Sequence, residues 1–208
     1  ESRYPQGAEK VLIEKTTGRE VPRGGLPSDV GVIVMNVTTV STLGKFLETG
    51  MPLTTKRLTI DGDAANGAKN VEVIIGTPIQ EVLDFCGGVR DDAEKVLMGG
   101  PMMGIAVPST DLPVLKQNNA ILVFSERRAH LPKPSACIRC GRCIEACPMG
   151  LSPVEIAGAY NRGDVDALNA MTVDLCMSCG CCTFVCPAKR PVAQTMNQAK
   201  VMQKKGGK

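Results

Sequence analysis

The sequence predicts an α+β chain whose architecture changes along its length, from a glycine-rich and valine-rich opening, through a small mixed sheet, to a helical end rich in cysteine. Three observations lead there. Residues 56–124 alternate strand-like and helix-like segments, residues 137–187 carry one cysteine pattern twice, and a short run of proline and charge separates the two regions. With 208 residues and 43% apolar content, the chain is long enough to bury a core.

Glu1 to Pro52 is dominated by glycine, valine and threonine, and Gly31 to Val37, preceded by Pro27-Ser28-Asp29, reads as a buried strand. Further strands are expected at Arg57 to Asp61, Val71 to Ile75, Lys95 to Met98 and Ile121 to Phe124. A helix lies between the second and third of these. Thr77 is positioned to cap it, Pro78 to occupy its first turn, Gln80 to complete a capping box and Gly87-Gly88 to end it. Ile79, Val82, Leu83 and Cys86 fall on one stripe of that helix, which makes Cys86 a core residue. One helix crossing a small mixed sheet is a β-grasp-like arrangement.

Arg127 to Ser135 contains two prolines and several charges and reads as a linker, with the lone His130 solvated within it. Past it come Cys137-x2-Cys140-x2-Cys143-x3-Cys147-Pro148 and Cys176-x2-Cys179-x2-Cys182-x3-Cys186-Pro187. In each copy three thiols are close enough for one loop to wrap a cubane, while the fourth opens the next helix and faces away. This is the spacing of a protein with two [4Fe-4S] clusters, in which the fourth cysteine serves the opposite cluster. Cys137, Cys140, Cys143 and Cys186 are expected on one cluster, and Cys176, Cys179, Cys182 and Cys147 on the other.

A disulfide scaffold would be shorter and denser in cysteine, and the N-terminus does not resemble a signal peptide, although Glu1 in place of methionine reads as a cut chain. Zinc sites present cysteines as pairs closing a tetrahedron, not as repeated runs of three followed by Cys-Pro. Cys181 falls outside the ligand spacing and reads as a small packed residue. Between the copies, Ser152-Pro153 opens a helix over Val154 to Asn161, and Asp164 caps another over Val165 to Met171, with Arg162-Gly163 as the turn. Pro191 starts a final helix through Val192, Met196, Ala199 and Met202, whose other face carries Lys200, Lys204 and Lys205 as a solvated basic end.

Composition excludes several classes. A net charge of +3, 3% aromatic residues and no tryptophan leave neither the charge nor the stacking platforms for nucleic acid. The apolar run from Val30 to Met35 is far below the roughly 18 residues of a membrane-spanning helix, so membrane contact is expected to be peripheral. Arg139, Arg142, Lys189 and Arg190 lie within or beside the ligand loops, where they either raise the cluster potentials or meet an acidic electron carrier.

The segment Cys-Ile-Arg-Cys-Gly-Arg-Cys-Ile-Glu-Ala-Cys-Pro-Met-Gly-Leu from Cys137 to Leu151 resembles the ferredoxin domain in the C-type member of the Rnf electron-transport complex. So does Cys-Met-Ser-Cys-Gly-Cys-Cys-Thr-Phe-Val-Cys-Pro-Ala-Lys-Arg-Pro from Cys176 to Pro191. Tyr4-Pro-Gln-Gly-Ala-Glu-Lys10, Gly18-Arg-Glu-Val-Pro-Arg-Gly-Gly-Leu-Pro27 and Gly99-Gly-Pro-Met-Met-Gly104 extend the likeness over nearly the whole chain.

That family, RnfC, is similar to the NADH-binding flavoprotein of respiratory complex I. The resemblance implies the C-terminal part of an FMN/NADH-binding α/β domain over 1–54, an SLBB-like β-grasp domain over 55–126 and a two-cluster ferredoxin-type domain over 127–208. The family's glycine-rich nucleotide motif would lie before Glu1. Of the flavin site, Tyr4, Gly7 and Glu9 match one contacting loop, and Asn36 and Thr39 match the Asn-x-x-Thr of another. Ala8 departs from complex I, where an acidic residue stands.

The function so implied is electron transfer in an ion-translocating NADH:ferredoxin oxidoreductase. FMN and NAD(H) are cofactors of the complete protein, and two [4Fe-4S] clusters pass single electrons onward. The implied partners are other Rnf subunits and ferredoxin or an iron-sulfur subunit. The implied location is peripheral, on the cytoplasmic face of a bacterial or archaeal inner membrane. No catalytic side chain is expected, since the cofactors carry the chemistry, and this chain alone is expected to lack NADH activity and to hold FMN weakly. The alternatives are a cobalamin-reducing flavoprotein with the same modules, from which the regular second cysteine copy departs, and an iron-sulfur-stabilised ligand-binding scaffold.

Overall fold

The computed structural model describes residues 4–206, and the chain divides into two compact units, one of residues 1–36 with 133–208 and the other of residues 37–132.

The second unit is built on a five-stranded sheet. Its strands are β1 (Thr55–Asp61), β2 (Lys69–Ile74), β3 (Ala93–Met98), β4 (Ile105–Ala106) and β5 (Ala120–Ser125), in the order β2-β1-β5-β3-β4. β1 runs parallel to β5 and every other neighbouring pair is antiparallel. Leu58 and Ile60 of β1 and Ile121 and Val123 of β5 alternate inward with period two and are at most 2% exposed. The helix expected before β3 is present as Ile79–Phe85. Ile79, Val82 and Leu83, with Cys86 just beyond, join the strand residues in a single core, so the sheet has an apolar face that the helix covers.

The capping box expected at Thr77 and Gln80 does not form. Leu112 and Thr110 instead offer carbonyls to the N–H groups of Ile79 and Gln80, at 3.0 and 2.9 Å, and the Gln80 side chain bonds Thr110 and Asp84. A neighbouring backbone segment meets the donors that a side-chain cap serves elsewhere. The helix still ends as expected, with Gly87 and Gly88 at positive φ.

Numbering helices along the chain, Glu9–Thr17 is α1, Val37–Thr49 is α2, Ile79–Phe85 is α3 and Glu126–Ala129 is α4. The buried strand expected over Gly31 to Val37 is absent. Residues 32–36 join no ladder, Ile33 is 83% exposed, and Val37 begins α2. An apolar run becomes a buried strand only where a second strand accepts its N–H and C=O groups, and residues 32–36 pair with none.

In the first unit α1 ends at Gly18, whose left-handed backbone lets its N–H reach the Glu14 carbonyl. The cysteine region folds as α5 (Arg142–Glu145), α6 (Pro153–Arg162), α7 (Val165–Ala170), α8 (Cys181–Phe184) and α9 (Val192–Gly206). Asp164 caps α7 as expected, its carboxylate accepting the Ala167 N–H at 2.9 Å. Ile156, Ala159, Leu168, Met196 and Ala199 form a core at most 1% exposed, against which Cys147, Cys176, Cys182 and Cys186 pack.

Candidate iron-sulfur centres

The two cysteine copies share one backbone path. Arg139 and Ser178 stand at matched positions with φ of 53° and 58°, Gly141 and Gly180 at 78° and 83°, and Gly150 and Lys189 at 62° and 53°. Three left-handed residues per copy curl the chain around the space that the thiols face. Non-glycine residues accept that conformation at some cost, so its recurrence at Arg139, Ser178 and Lys189 marks a loop held for a purpose. After each loop a single helical turn, α5 or α8, delivers the fourth cysteine. Cys147 N–H bonds the Ile144 carbonyl, and Cys186 N–H bonds that of Thr183.

Cys137, Cys140, Cys143 and Cys186 line one hollow. Cys147, Cys176, Cys179 and Cys182 line another, together with Cys181. The fourth cysteine of each copy thus faces the loop of the other. Pro153, at the start of α6, contributes to both walls.

The surroundings fit a thiolate-bound cubane. Among the described residues, the N–H groups of 138–141 and 177–180 donate to no backbone carbonyl, so they are free to serve cluster sulfurs. Those of Val154 and Ser178 lie against the sulfurs of Cys143 and Cys176. Burial raises the thiols of Cys143 and Cys176, and pushes Cys182 up to about 12 and Cys181 up to about 11, with the Cys179 hydrogen bond as a second cause for Cys181. Crowded thiols in a dry hollow resist becoming bare anions, and bound iron supplies the charge that lets them do so.

The second hollow is braced from outside by residues far away in sequence. The Tyr4 hydroxyl donates to the Cys179 carbonyl at 2.6 Å, and Lys200 donates to that of Cys176 at 2.6 Å. Lys200 is therefore engaged with a cysteine loop, unlike the solvated position expected for it. Arg23 makes a two-pronged contact with Asp174, at 2.9 and 2.6 Å, and holds that carboxyl below the usual range. Spacing arguments could not find these contacts, whose partners lie 24 to 175 residues apart. Burial, followed by the nearby Cys179, raises the Tyr4 phenol.

Of the other flavin candidates, Gly7 is exposed, with nothing within 4 Å of the position a Cβ would take, and Glu9 is exposed at the start of α1. Asn36 immediately precedes α2, and Thr39 lies in its first turn, exposed. Tyr4 and Lys10 share a groove with Cys147, Pro148 and Met149.

Fold and site together define a modular protein with a mixed-sheet unit and a helical unit built to hold two iron-sulfur clusters. Residues 1–45 match the Nuo51 FMN-binding domain, 57–106 the SLBB domain and 131–187 the 4Fe-4S dicluster domain. The chain is 47% identical over 161 residues to the C-type component of the Na(+)-translocating ferredoxin:NAD(+) oxidoreductase complex of Acetobacterium woodii, a match covering 77% of this chain and 36% of that protein. It is 48% identical over 152 residues to the corresponding component of the proton-translocating ferredoxin:NAD(+) oxidoreductase complex of Clostridium ljungdahlii, covering 73% and 33%. With its counterpart in the ion-translocating oxidoreductase complex of Rhodobacter capsulatus the identity is 37% over 165 residues, covering 79% and 32%. The chain belongs to this RnfC family and spans about a third of the length of these relatives.

Proposed function

We propose that the chain is the electron-transfer portion of an ion-translocating NADH:ferredoxin oxidoreductase of the Rnf type. Cys137, Cys140, Cys143 and Cys186 hold one [4Fe-4S] cluster, and Cys147, Cys176, Cys179 and Cys182 hold the second. The observation that carries this reading is the grouping of the eight thiols into two hollows, each closed by the last cysteine of the other copy. When bound, such clusters accept and release one electron at a time.

The chain's own residues supply geometry and exclude water. The core of Ile156, Leu168 and Met196 supports the second ligand loop at Cys176 and Cys182 and the two closing cysteines, Cys147 and Cys186. Tyr4 and Lys200 tie the second loop to the N-terminal segment and to α9. Tyr4, Gly7, Glu9, Asn36 and Thr39 contribute to the wall of an FMN site that also serves NAD(H). The working domain limits are 1–54, 55–126 and 127–208. Among the described residues no helix is long and apolar enough to cross a membrane, and we place the chain peripherally on the cytoplasmic face of a membrane complex, with other Rnf subunits and ferredoxin or an iron-sulfur subunit as partners.

The test is anaerobic iron and acid-labile sulfide analysis joined to EPR during dithionite titration. The expected result is about eight iron and eight sulfide per chain, with two interacting reduced centres. Zinc in place of iron, or clusters that dithionite cannot reduce, would move the cysteine region to a structural role.

A further inference from the structure

The two hollows are lined differently. Among the described residues no charged side chain stands on the wall of the second, and Cys179 is 8% exposed. The first has Arg139, Arg142 and Arg190 on its wall, with Lys189 next in sequence to Arg190. Cys137 and Cys140 are exposed, and Ile138 between them is 68% exposed. Among the described residues these four cationic side chains make no ion pair.

Charges of this kind can tune a cluster or steer a partner. Arg139 and Arg142 are exposed, so water and salt screen their field at the cluster, whereas steering of an approaching protein works through the solvent. An exposed apolar side chain that shares a wall with Arg139, Arg142 and Arg190 also has the makings of a docking patch with an apolar centre and a charged rim.

We propose that the face around Cys137 and Cys140 is the port where electrons cross to another protein, and that its partner is an acidic one-electron carrier with carboxylates around its own redox centre. The proposal rests on the two-cluster reading. One electron passes between the cluster held by Cys137, Cys140, Cys143 and Cys186 and the carrier's centre. One side is oxidised by one and the other reduced by one, and no bond or proton moves.

The experiment uses the full chain, loaded with iron and sulfide and reduced by dithionite, mixed in stopped flow with acidic rubredoxin or with basic cytochrome c. Reduction of rubredoxin should slow about tenfold or more from low to high salt, and the Arg142→Glu/Arg190→Glu variant should lose a similar factor at low salt while gaining rate with cytochrome c. EPR-monitored midpoint potentials should stay in place. Rates indifferent to salt and to charge reversal would overturn the port, as would a shifted midpoint with an unchanged salt dependence, which would assign the arginines to tuning. Should the double variant fail to retain iron, Arg190→Gln together with the wild-type salt dependence decides the matter. Wild-type chain that takes up no iron would instead remove the cluster reading itself.

Discussion

The Tyr4 hydroxyl donates a 2.6 Å hydrogen bond to the backbone carbonyl of Cys179, 175 residues further along the chain. Within one compact unit, this joins a residue that resemblance assigns to the flavin wall to a loop that carries four of the cysteines. The same loop is held at Cys176 by Lys200 and flanked by the Arg23–Asp174 pair. The N-terminal segment and the second cysteine loop therefore form one structural element.

Replacing Tyr4 with Phe removes a single donor and keeps the ring. A hydrogen bond of this kind contributes about 1 kcal/mol net, so the segment from Tyr4 to Glu20 should open about fivefold more often. Amide hydrogen exchange on the iron-loaded protein would report this as faster labelling confined to that segment and to the residues near Cys179. Iron content should be unchanged. Uniform protection in both proteins would mean that the hydroxyl holds nothing in place.

Much of this architecture was legible because the patterns that announce it are local. Alternation at Leu58 and Ile60, the stripe of Ile79, Val82, Leu83 and Cys86, and the cap at Asp164 each depend on neighbours within a turn or a strand. The cysteine copies were legible for the same reason, since three ligands fit in one loop. Features that needed a distant partner were misread or missed. Residues 32–36 looked like a strand but find no ladder, and Thr77 looked like a cap but the 110–112 segment takes its place. α1, α2 and the two-residue β4 were not foreseen. α2 buries none of its residues, so its apolar positions give no period tied to a core.

Asp63 should give the sheet unit an acid-sensitive latch. Its carboxylate accepts the Ser125 hydroxyl at 2.6 Å and the Ser125 N–H at 3.2 Å, with Arg128 at 3.6 Å, and the Ser125 hydroxyl chiefly holds its pKa below the ordinary 3.8. A depressed carboxyl stabilises the fold fully above its unfolded value and loses that contribution as pH falls through the folded one. Asp63→Asn should melt earlier than wild type near neutral pH, and the two curves should converge below about pH 3.8. Thermal unfolding followed across that range decides it, and a gap that stays constant down to the most acid pH would show that the Asp63 charge is not responsible.

Gly62, at the turn out of β1, has φ of 116°, and a Cβ added there would overlap the Val123 backbone. The overlap is with strand β5, the parallel partner of β1, which cannot yield as a flexible side chain would. Gly62→Ala should therefore cost about 3 kcal/mol or more, by strain and by separation of the central strands. Gly7→Ala, where a Cβ meets open space, should cost little in stability and serves as the comparison. Denaturant unfolding of the two variants measures the contrast. Equal midpoints would contradict the close approach of β1 and β5 at this turn.

Crossed closure of the two hollows makes a prediction that pairs of cysteine variants can read directly. If Cys147 serves the loop of Cys176, Cys179 and Cys182, then Cys147→Ala and Cys176→Ala damage the same cluster. The double variant should lose no more iron than either single one, about four per chain. Cys147→Ala with Cys137→Ala damages both clusters and should lose about eight. Ligation within each copy reverses the pattern, because Cys147 and Cys137 would then share a cluster and their double variant would retain half the iron. Iron and sulfide counts separate the two schemes without any measurement of activity. EPR adds a second reading, since the variant that keeps one cluster should lose the magnetic interaction between centres and show one isolated reduced signal. Loss of all iron in both double variants, which neither ligation scheme predicts, would show that the hollows fail together, with the shared wall at Pro153 making them one cooperative site.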